Sequence, residues 1–319
     1  MIRAIEKLLE DDTAGDPMGG LKWTRKTTEK VSRELASAAI HVSPNTVARL
    51  LSDMGYALRV NHKKRAARPS HPDRNRQFDY IAAKRRSFQR RGLPIISIDT
   101  KKKELIGRFK NPGAVWAQTP TPVNDHDFRS DAVGLAIPFG IYDLVDNRGH
   151  VFVGTSHETS AFAADALARW WSRDGRLRYP KTDKILILAD GGGANGPRRH
   201  VWKYALQTKL CDRYGLTVTL CHYPPGTSKW NPIEHRLFSE ISKNWAGKPL
   251  DSFDTMLKYI GTTETKTGLK VKATLIKRDY ETGTEIAKED VVSLNVRRHD
   301  TLPAWNYTIT PRRSRSAKM

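Results

Sequence analysis

The chain has 319 residues, enough for one large domain and one or two small ones. It carries 55 lysines and arginines against 34 aspartates and glutamates, a formal charge of +21, so a polyanion is the expected partner. No apolar run approaches ~18 residues, which argues against a membrane-spanning helix and favours nucleic acid over a lipid surface. The two cysteines, Cys211 and Cys221, lack metal-binding spacing and suit a reducing cytoplasm.

Three short helices are predicted near the N-terminus. Residues 1–12 predict an amphipathic helix, and an apolar stripe at helical spacing predicts a second within 24–39. The third begins at Ser43, a credible N-cap followed by proline at the first helical position, and ends at Gly55. The chain therefore opens with an α-helical region.

The second and third of these helices, joined by a tight turn, are typical of a helix-turn-helix unit. In this interpretation Asn45, Thr46 and Arg49 face the major groove of DNA. The alternative is that the two helices are merely packed parts of an all-α subdomain.

A basic tract at residues 59–68 favours the DNA-binding interpretation. Lys63, Lys64 and Arg65 stand in this tract, directly after the candidate helix-turn-helix, where they can contact phosphates. We therefore predict an N-terminal helical region over residues 1–68, in which residues 24–68 form a helix-turn-helix DNA-binding unit.

The rest of the chain alternates strands and helices, after a linking helix predicted within 69–92. The apolar run from Pro94 to Asp99 predicts a strand covered on both faces. The other predicted elements are a short strand in 103–110, a hairpin over 139–155, helices at 159–174, 198–213 and 232–245, and strands at 184–189 and 216–222. This order predicts an α/β fold with an RNase H-like mixed sheet flanked by helices over 93–261.

Two further segments are predicted around this sheet. Residues 103–132 contain a proline-rich, aperiodic stretch with an isolated Trp116, which indicates an inserted arm. Residues 262–319 predict a small β-rich C-terminal segment that ends in a basic tail.

Three acidic residues stand where site residues are expected in such a sheet. Asp99 and Asp190 each end an apolar strand, and the carboxyl ends of strands are where α/β sheets bind ligands. Glu234 lies in the first turn of the helix that Asn231 and Pro232 open. Carboxylates that meet at one edge need a cation between them, and their hard oxygens suit Mg²⁺ or Mn²⁺. Taken singly, an aspartate at a strand end is more often a turn or cap residue.

Several segments of the chain resemble DDE transposases of insertion sequences, within the IS630/Tc1/mariner grouping and nearest to the ISAzo13-type family. The segments that carry the resemblance are Ile98-Asp99-Thr-Lys-Lys-Lys-Glu104, His126-Asp-Phe128, Ala189-Asp190-Gly-Gly, Cys221-His-Tyr-Pro-Pro-Gly-Thr-Ser-Lys-Trp-Asn-Pro-Ile-Glu234-His-Arg-Leu-Phe238 and Trp305-Asn-Tyr-Thr-Ile309. They span most of residues 20–310, and the block from Cys221 to Phe238 is the most specific.

The resemblance implies a transposase that cuts and joins DNA at transposon ends by metal-dependent phosphoryl transfer. It assigns the catalytic and metal-binding triad to Asp99, Asp190 and Glu234, with two Mg²⁺ (or Mn²⁺) ions. The gap before Glu234 is longer than in mariner-like relatives, which leaves Glu240 as a competing third ligand. Duplex DNA, a homodimer or larger synaptic assembly, and a bacterial, nucleoid-associated location follow from the same resemblance. Family members tend to have a longer N-terminal region, so an incomplete copy is an expectation too.

Basic and aromatic residues beside the carboxylates are candidates for DNA contact. Lys101, Lys102, Lys103 and Lys229 can hold phosphates, although surface charge alone explains them equally well. Trp230 can stack on a base, with packing as the alternative.

Three other functions are compatible with parts of the sequence. The glycines of 191–196 match a dinucleotide-binding pattern, but the next strand lacks the expected acidic residue. A truncated or inactive transposase derivative would keep the DNA-binding unit and lose the chemistry. A metal-dependent endonuclease would cut DNA without joining strands.

Overall fold

The computed structural model describes residues 2–10, 13–15, 22–24, 27–57 and 71–312. The chain divides into two compact units, Met1–Arg68 and Pro69–Met319. In the described ranges no helix is long and apolar enough to cross a membrane. The basic tract predicted to bind phosphates, with Lys63, Lys64 and Arg65, lies outside the described residues.

The first unit holds three helices and a two-stranded antiparallel ribbon. Its elements are α1 (Ile2–Glu10), β1 (Thr13–Gly15), β2 (Lys22–Thr24), α2 (Thr28–Ser37) and α3 (Pro44–Asp53). Both later helices begin at hydroxyl caps, because the side chain of Thr27 accepts from the Lys30 amide and that of Ser43 from the Thr46 amide. The helices share a small core of fully buried side chains, Ile5, Val31, Leu35 and Val47. The helix-turn-helix interpretation of α2 and α3 stays a prediction.

The second unit is built on one mixed sheet. Its strands are β3 (Ile95–Thr100), β4 (Glu104–Ile106), β5 (Gly134–Asp143), β6 (Arg148–Gly154), β7 (Lys184–Ala189), β8 (Thr217–His222), β9 (Lys270–Ile276), β10 (Val296–Arg298) and β11 (Asn306–Ile309). The strand order is β10-β11-β8-β7-β3-β5-β6-β9, and β4 pairs with β5. Strands β3, β7 and β8 run parallel, while β5 is antiparallel to both β3 and β6. The order β6-β5-β3-β7-β8 with this pairing is the RNase H-like arrangement that the sequence predicts.

Helices cover both faces of the sheet because its central strands are apolar on both sides. The helices of this unit are α4 (Arg74–Arg90), α5 (Ser160–Trp170), α6 (Arg176–Arg178), α7 (His200–Leu206), α8 (Ser239–Asn244), α9 (Phe253–Gly261) and α10 (Lys288–Val292). One face packs against α5 and α7, through Phe162 and Trp202 among others. The other face packs against α4, α8 and α9, for example through Ile81, Ile241 and Met256.

Three of the helices contain or continue into π-helical turns, at Trp171–Gly175, Gln207–Asp212 and Glu234–Phe238. The sequence predicted plain helices at these places. A π turn adds one residue to the helical repeat and re-aims the side chains around it, and such turns are frequent at functional sites. The third of them begins at Glu234.

The strands in the described part of residues 262–319 belong to the same sheet. Strand β9 pairs in parallel with β6 at one edge, and β11 pairs with β8 and carries β10 at the other. Helix α4, predicted as a linker, packs on the sheet, where Gln77 is fully buried. The side-chain amide of Gln77 donates to the His222 carbonyl at 2.7 Å and to the side-chain oxygen of Asn306 at 2.8 Å.

The predicted arm leaves the sheet after β4. Apart from the single turn Arg129–Asp131, residues 107–133 contain no regular structure, and Trp116 is fully exposed. The arm is tied down near its start, since the Asn111 side chain donates to the Trp245 and Lys248 carbonyls at 3.2 Å.

Candidate active site

Asp99 is the penultimate residue of β3, the central strand of the sheet. The parallel register pairs Ile98 with Ala189 of β7, so Asp99 and Asp190 emerge side by side at the carboxyl ends of neighbouring strands. Asp99 is 8% exposed, and its carboxylate accepts a 2.8 Å hydrogen bond from the Thr100 amide. The structure thus brings together the two aspartates that the sequence singles out.

Asp190 follows β7 directly and is fixed through both its backbone and its side chain. Its carboxylate accepts from the Gly192 amide at 3.2 Å. Its carbonyl accepts from Nδ1 of His222, at 2.9 Å, and the hydroxyl of Tyr307 donates to Nε2 of the same ring, at 3.3 Å. His222 is fully buried, and burial lowers the pKa of its imidazole to about 4, so the ring stays neutral behind the aspartate.

Glu234 is half-buried and opens the π turn that continues into α8. The turn is fastened to β3 by Asn231, whose side chain is fully buried. The Asn231 amide donates to the Ile98 carbonyl at 3.2 Å, and its oxygen accepts from the Ser97 hydroxyl. That hydroxyl in turn accepts from the Ile233 amide at 3.3 Å. Asn231 therefore joins the segment that carries Glu234 to the strand that carries Asp99.

A glycine opposite Asp99 lets this segment lie directly on the sheet. Gly140 of β5 is the antiparallel partner of Asp99. A Cβ atom at Gly140 would lie 2.5 Å from the Phe238 ring and 2.8 Å from Ile233. A Cβ at Gly149 of β6 would likewise lie 2.4 Å from Leu237. Because both positions are glycine, the segment that carries Glu234 can lie directly against the sheet.

The three carboxyl groups repel one another in a partly dry setting. Burial, followed by repulsion from Asp190 and Glu234, raises the pKa of Asp99 to about 8, against the opposing hydrogen bond from Thr100. Burial also raises the pKa of Asp190, and the charge of Glu158 adds to that effect. Burial raises the pKa of Glu234 too, opposed by the positive charges of His235 and Lys101. The site therefore disfavours three simultaneous negative charges, which protonation or a bound cation would relieve.

The raised pKa of Asp99 predicts that the stability of the fold depends on pH in metal-free buffer. Because the folded-state pKa of Asp99 lies near 8 and the unfolded one near ~3.9, the contribution of Asp99 to the free energy of unfolding falls as pH rises through that window. The variant Asp99→Asn removes this loss. Urea denaturation should show the variant gaining about 2 kcal/mol on the wild type between about pH 6 and pH 8. Parallel stability curves for the two proteins would contradict the raised pKa.

The donor chemistry of the site fits a hard divalent cation. In the ranges that the structure describes, no three His, Cys, Asp or Glu side chains converge closely enough to hold a metal ion as they stand. The oxygens of Asp99, Asp190 and Glu234 are nevertheless of the type that Mg²⁺ and Mn²⁺ prefer, and a cation would relieve their mutual repulsion. Glu240, the competing third ligand, is instead ion-paired with Lys243 on α8, at 2.7 Å.

The three consecutive lysines after Asp99 lie in different environments. Lys101 is largely buried, since its ammonium pairs with Glu104 at 2.9 Å and lies 4.7 Å from the Trp245 ring centre. Lys102 is exposed. Lys103 is 45% exposed and pairs with Glu158 at 3.3 Å. Lys102 and Lys103 are therefore the ammonium groups of this run that are available to DNA phosphates.

Trp230 is 42% exposed and lies among cations. The guanidinium of Arg74 lies 4.7 Å from its ring centre and the ammonium of Lys229 lies 4.2 Å from it. One edge of the indole contacts Phe78, with ring centres 5.9 Å apart. The residue is thus partly packed and partly available, and its stacking role stays a prediction.

Asn45 and Arg49 are exposed on α3 of the first unit. Thr46 is partly engaged in the cap of that helix, because its hydroxyl lies 3.0 Å from the Ser43 hydroxyl and its amide donates to the same oxygen. The exposed pair is where the predicted base contacts can be made.

Sequence reasoning missed Glu158, His222 and Asn231 as site residues. Each reaches the site through contacts between segments far apart in the chain, so no local motif marks it. Asn231 stands within the Cys221–Phe238 block and His222 next to its start, which is the signal that could have found these two. The loop 191–196 lies beside the carboxylates: Gly192 and Gly193 line a cavity of about 270 Å³ with Asp99 and Asp190.

The RNase H-like sheet has one acidic residue on its central strand, β3, and a second directly after the neighbouring parallel strand, β7. A third stands at the start of the helical segment that follows β8. This arrangement is that of the DDE class of the fold. Residues 4–311 match the family model described as the Rhodopirellula transposase DDE domain. The chain belongs to this transposase family.

The chain is similar to solved structures of the Mos1 transposase. It is 14% identical to the Mos1 paired-end complex with left transposon end, covering 82% of this chain and 69% of that one, with a TM-score of 0.43. It is 14% identical to the mariner Mos1 paired end complex with Mg, with the same coverage and a TM-score of 0.44. It is 16% identical to the Mos1 strand transfer complex, again over 82% and 69%, with a TM-score of 0.41. No curated protein matches the chain.

Proposed function

We propose that this transposase-family chain cleaves DNA at the ends of its insertion sequence and joins the freed strands to target DNA. The observation that carries the proposal is the meeting of Asp99, Asp190 and Glu234 at one sheet edge, with their carboxyl pKa values raised by burial and mutual repulsion. A protein that only binds DNA gains nothing from negative charges that face the phosphates.

In this proposal Asp99, Asp190 and Glu234 would hold two Mg²⁺ or Mn²⁺ ions. When bound, the two ions supply activation of a water or 3′-hydroxyl nucleophile and neutralisation of the charge that develops at phosphorus. Asn231 joins the segment that carries Glu234 to β3 through its hydrogen bonds with Ile98 and Ser97. Lys102 and Lys103 orient the scissile strand through ionic contacts with its phosphates.

DNA recognition and assembly complete the proposal. The first unit binds the terminal sequence as a helix-turn-helix, with Asn45 and Arg49 reading bases and Thr46 at the helix start. Lys63, Lys64 and Arg65 add phosphate contacts, and Trp230 stacks on an unpaired base beside Lys229. Two DNA ends must be brought together, so the working form is a dimer or larger assembly, in the cytoplasm next to the nucleoid.

The test is a cleavage and joining assay with duplex DNA of the element's own ends. Nicks at the element boundary and strand-transfer products are expected in Mg²⁺ or Mn²⁺, and none in a chelator. Binding without nicking would mark the chain as a non-catalytic DNA-binding derivative. Nicking without joined products would mark it as an endonuclease.

The variant Arg49→Ala is expected to reduce the preference for the terminal sequence by about 5- to 150-fold, the value of a good base contact. Arg33→Ala, which removes an exposed arginine of α2, is the matched control and should weaken binding to all sequences alike. Competition binding with terminal and scrambled duplexes measures both. An unchanged sequence preference in Arg49→Ala would mean that the residues that contact the bases do not lie on α3.

A further inference from the structure

A fourth carboxylate, Glu158, stands at the candidate active site. It lies between β6 and α5, one residue before the helix cap, where the Thr159 hydroxyl accepts from the Phe162 amide at 3.2 Å. The next residue, Ser160, donates from its hydroxyl to the Ala194 carbonyl at 2.5 Å. The backbone at Glu158 is therefore anchored to the loop that follows Asp190.

The side chain of Glu158 reaches into the same cavity as the aspartates. It lines that cavity together with Asp99 and Asp190. Its Oε1 lies only 3.1 Å from where a Cβ would stand at Gly193, whose φ of +65° also favours glycine. A side chain at Gly193 would thus press against the Glu158 carboxylate, and glycine lets the two lie side by side.

Lys103 is the counter-charge of Glu158 in this structure. Its ammonium lies 3.3 Å from Oε2 of Glu158, which is 22% exposed. The neighbouring pair of Lys101 and Glu104 is more deeply buried and packed under Trp245. Lys103, at 45% exposure, can exchange its partner at little cost, whereas Lys101 cannot.

Glu158 would help to balance the charge of a site that holds two divalent cations. Asp99, Asp190 and Glu234 carry three negative charges, and two divalent cations carry four positive ones. A fourth carboxylate would close that difference, and Glu158 lines the same cavity as Asp99 and Asp190. A DNA phosphate that draws Lys103 away would leave Glu158 facing the site without a counter-charge.

We propose that Glu158 is a fourth metal-binding carboxylate of this site, restrained by Lys103 until a DNA phosphate takes over that ammonium. The inference rests on the proposed metal-dependent function. It makes DNA binding and metal binding mutually strengthening, because each relieves a charge that the other leaves unpaired.

The test measures Mn²⁺ affinity of the full chain by electron paramagnetic resonance, with and without terminal duplex DNA. In the wild type, DNA should tighten Mn²⁺ binding. Glu158→Gln should weaken Mn²⁺ binding in the DNA complex about tenfold and reduce the tightening by DNA. Lys103→Gln should tighten Mn²⁺ binding without DNA and also reduce the further effect of DNA. The two variants are thus expected to change Mn²⁺ affinity in opposite directions, whereas general damage to the site would lower it in both.

Asp146→Asn and Arg148→Gln, which break an ion pair at the turn between β5 and β6, are the controls and should leave Mn²⁺ affinity unchanged. If Asp190→Asn abolishes Mn²⁺ binding while Glu158→Gln matches the wild type, the role of Glu158 is overturned and the proposed function stands. If Asp190→Asn also binds Mn²⁺ normally, the proposed metal site itself fails. Thermal unfolding of each variant confirms that it folds.

Discussion

Replacing Asp190 with asparagine is expected to reduce DNA cleavage roughly 10³-fold or more, since under the proposed function it removes a metal ligand and with it several kcal/mol of transition-state stabilisation. The amide keeps the shape of the side chain but not its negative charge. Its backbone contact with His222 involves only the carbonyl, so the strand end should stay in place. Binding of terminal DNA should be unchanged or slightly tighter, because one charge that repels phosphate is gone.

Asp183→Asn is the matched control for this variant. Asp183 is an exposed aspartate just before β7, at the opposite end of the strand that leads to Asp190. Cleavage rates and binding affinities of both variants, measured on the same duplex in Mn²⁺, separate chemistry from binding. Full cleavage by Asp190→Asn would remove this residue from the catalytic set.

The second large effect is expected from Asn231→Ala. The change removes a fully buried amide that joins Ser97, Ile98 and the Glu234 segment, and it leaves the Ser97 hydroxyl without its acceptor. The free energy of unfolding should fall by about 2–3 kcal/mol, the usual cost of breaking a buried polar contact. Metal affinity should fall as well, because Glu234 is no longer held against β3.

Asn244→Ala, at the far end of the helical segment that Asn231 precedes, provides the comparison. The Asn244 amide donates to the Tyr259 carbonyl at 2.6 Å and to two threonine hydroxyls, away from the carboxylates. It should lower stability without lowering Mn²⁺ affinity. In a cycle with Ser97→Ala, the losses of Asn231→Ala should be strongly non-additive, since the two side chains share one hydrogen bond. Additive losses would mean that Asn231 does not act through Ser97.

Local signals predicted much of the fold. The strand predicted from Pro94 to Asp99 is β3 at Ile95–Thr100, because an apolar run closed by proline and a carboxylate has few other solutions. The strand at 184–189 and the helix capped by Ser43 are confirmed for the same local reason. The two aspartates follow from these strands, since parallel neighbours end at the same edge.

The remaining features depend on contacts that are distant in sequence. Nothing in residues 270–276 shows that they pair with β6, nor in 306–309 that they pair with β8, since pairing partners are a property of the whole sheet. The segment with the π turn at Glu234 packs closely over Gly140 of β5, a contact that no local pattern predicts. Glu158 reaches the site only because α5 is anchored to the loop after Asp190.

The close approach at Gly140 also bears on how this site can change through evolution. The Phe238 and Ile233 side chains occupy the volume that a larger residue at position 140 would need. A relative with alanine or serine there would have to carry smaller side chains at positions 233 or 238 to keep the same separation between the acidic residues. The three positions should therefore vary together, as one inherited unit, even though none of them bears a catalytic group.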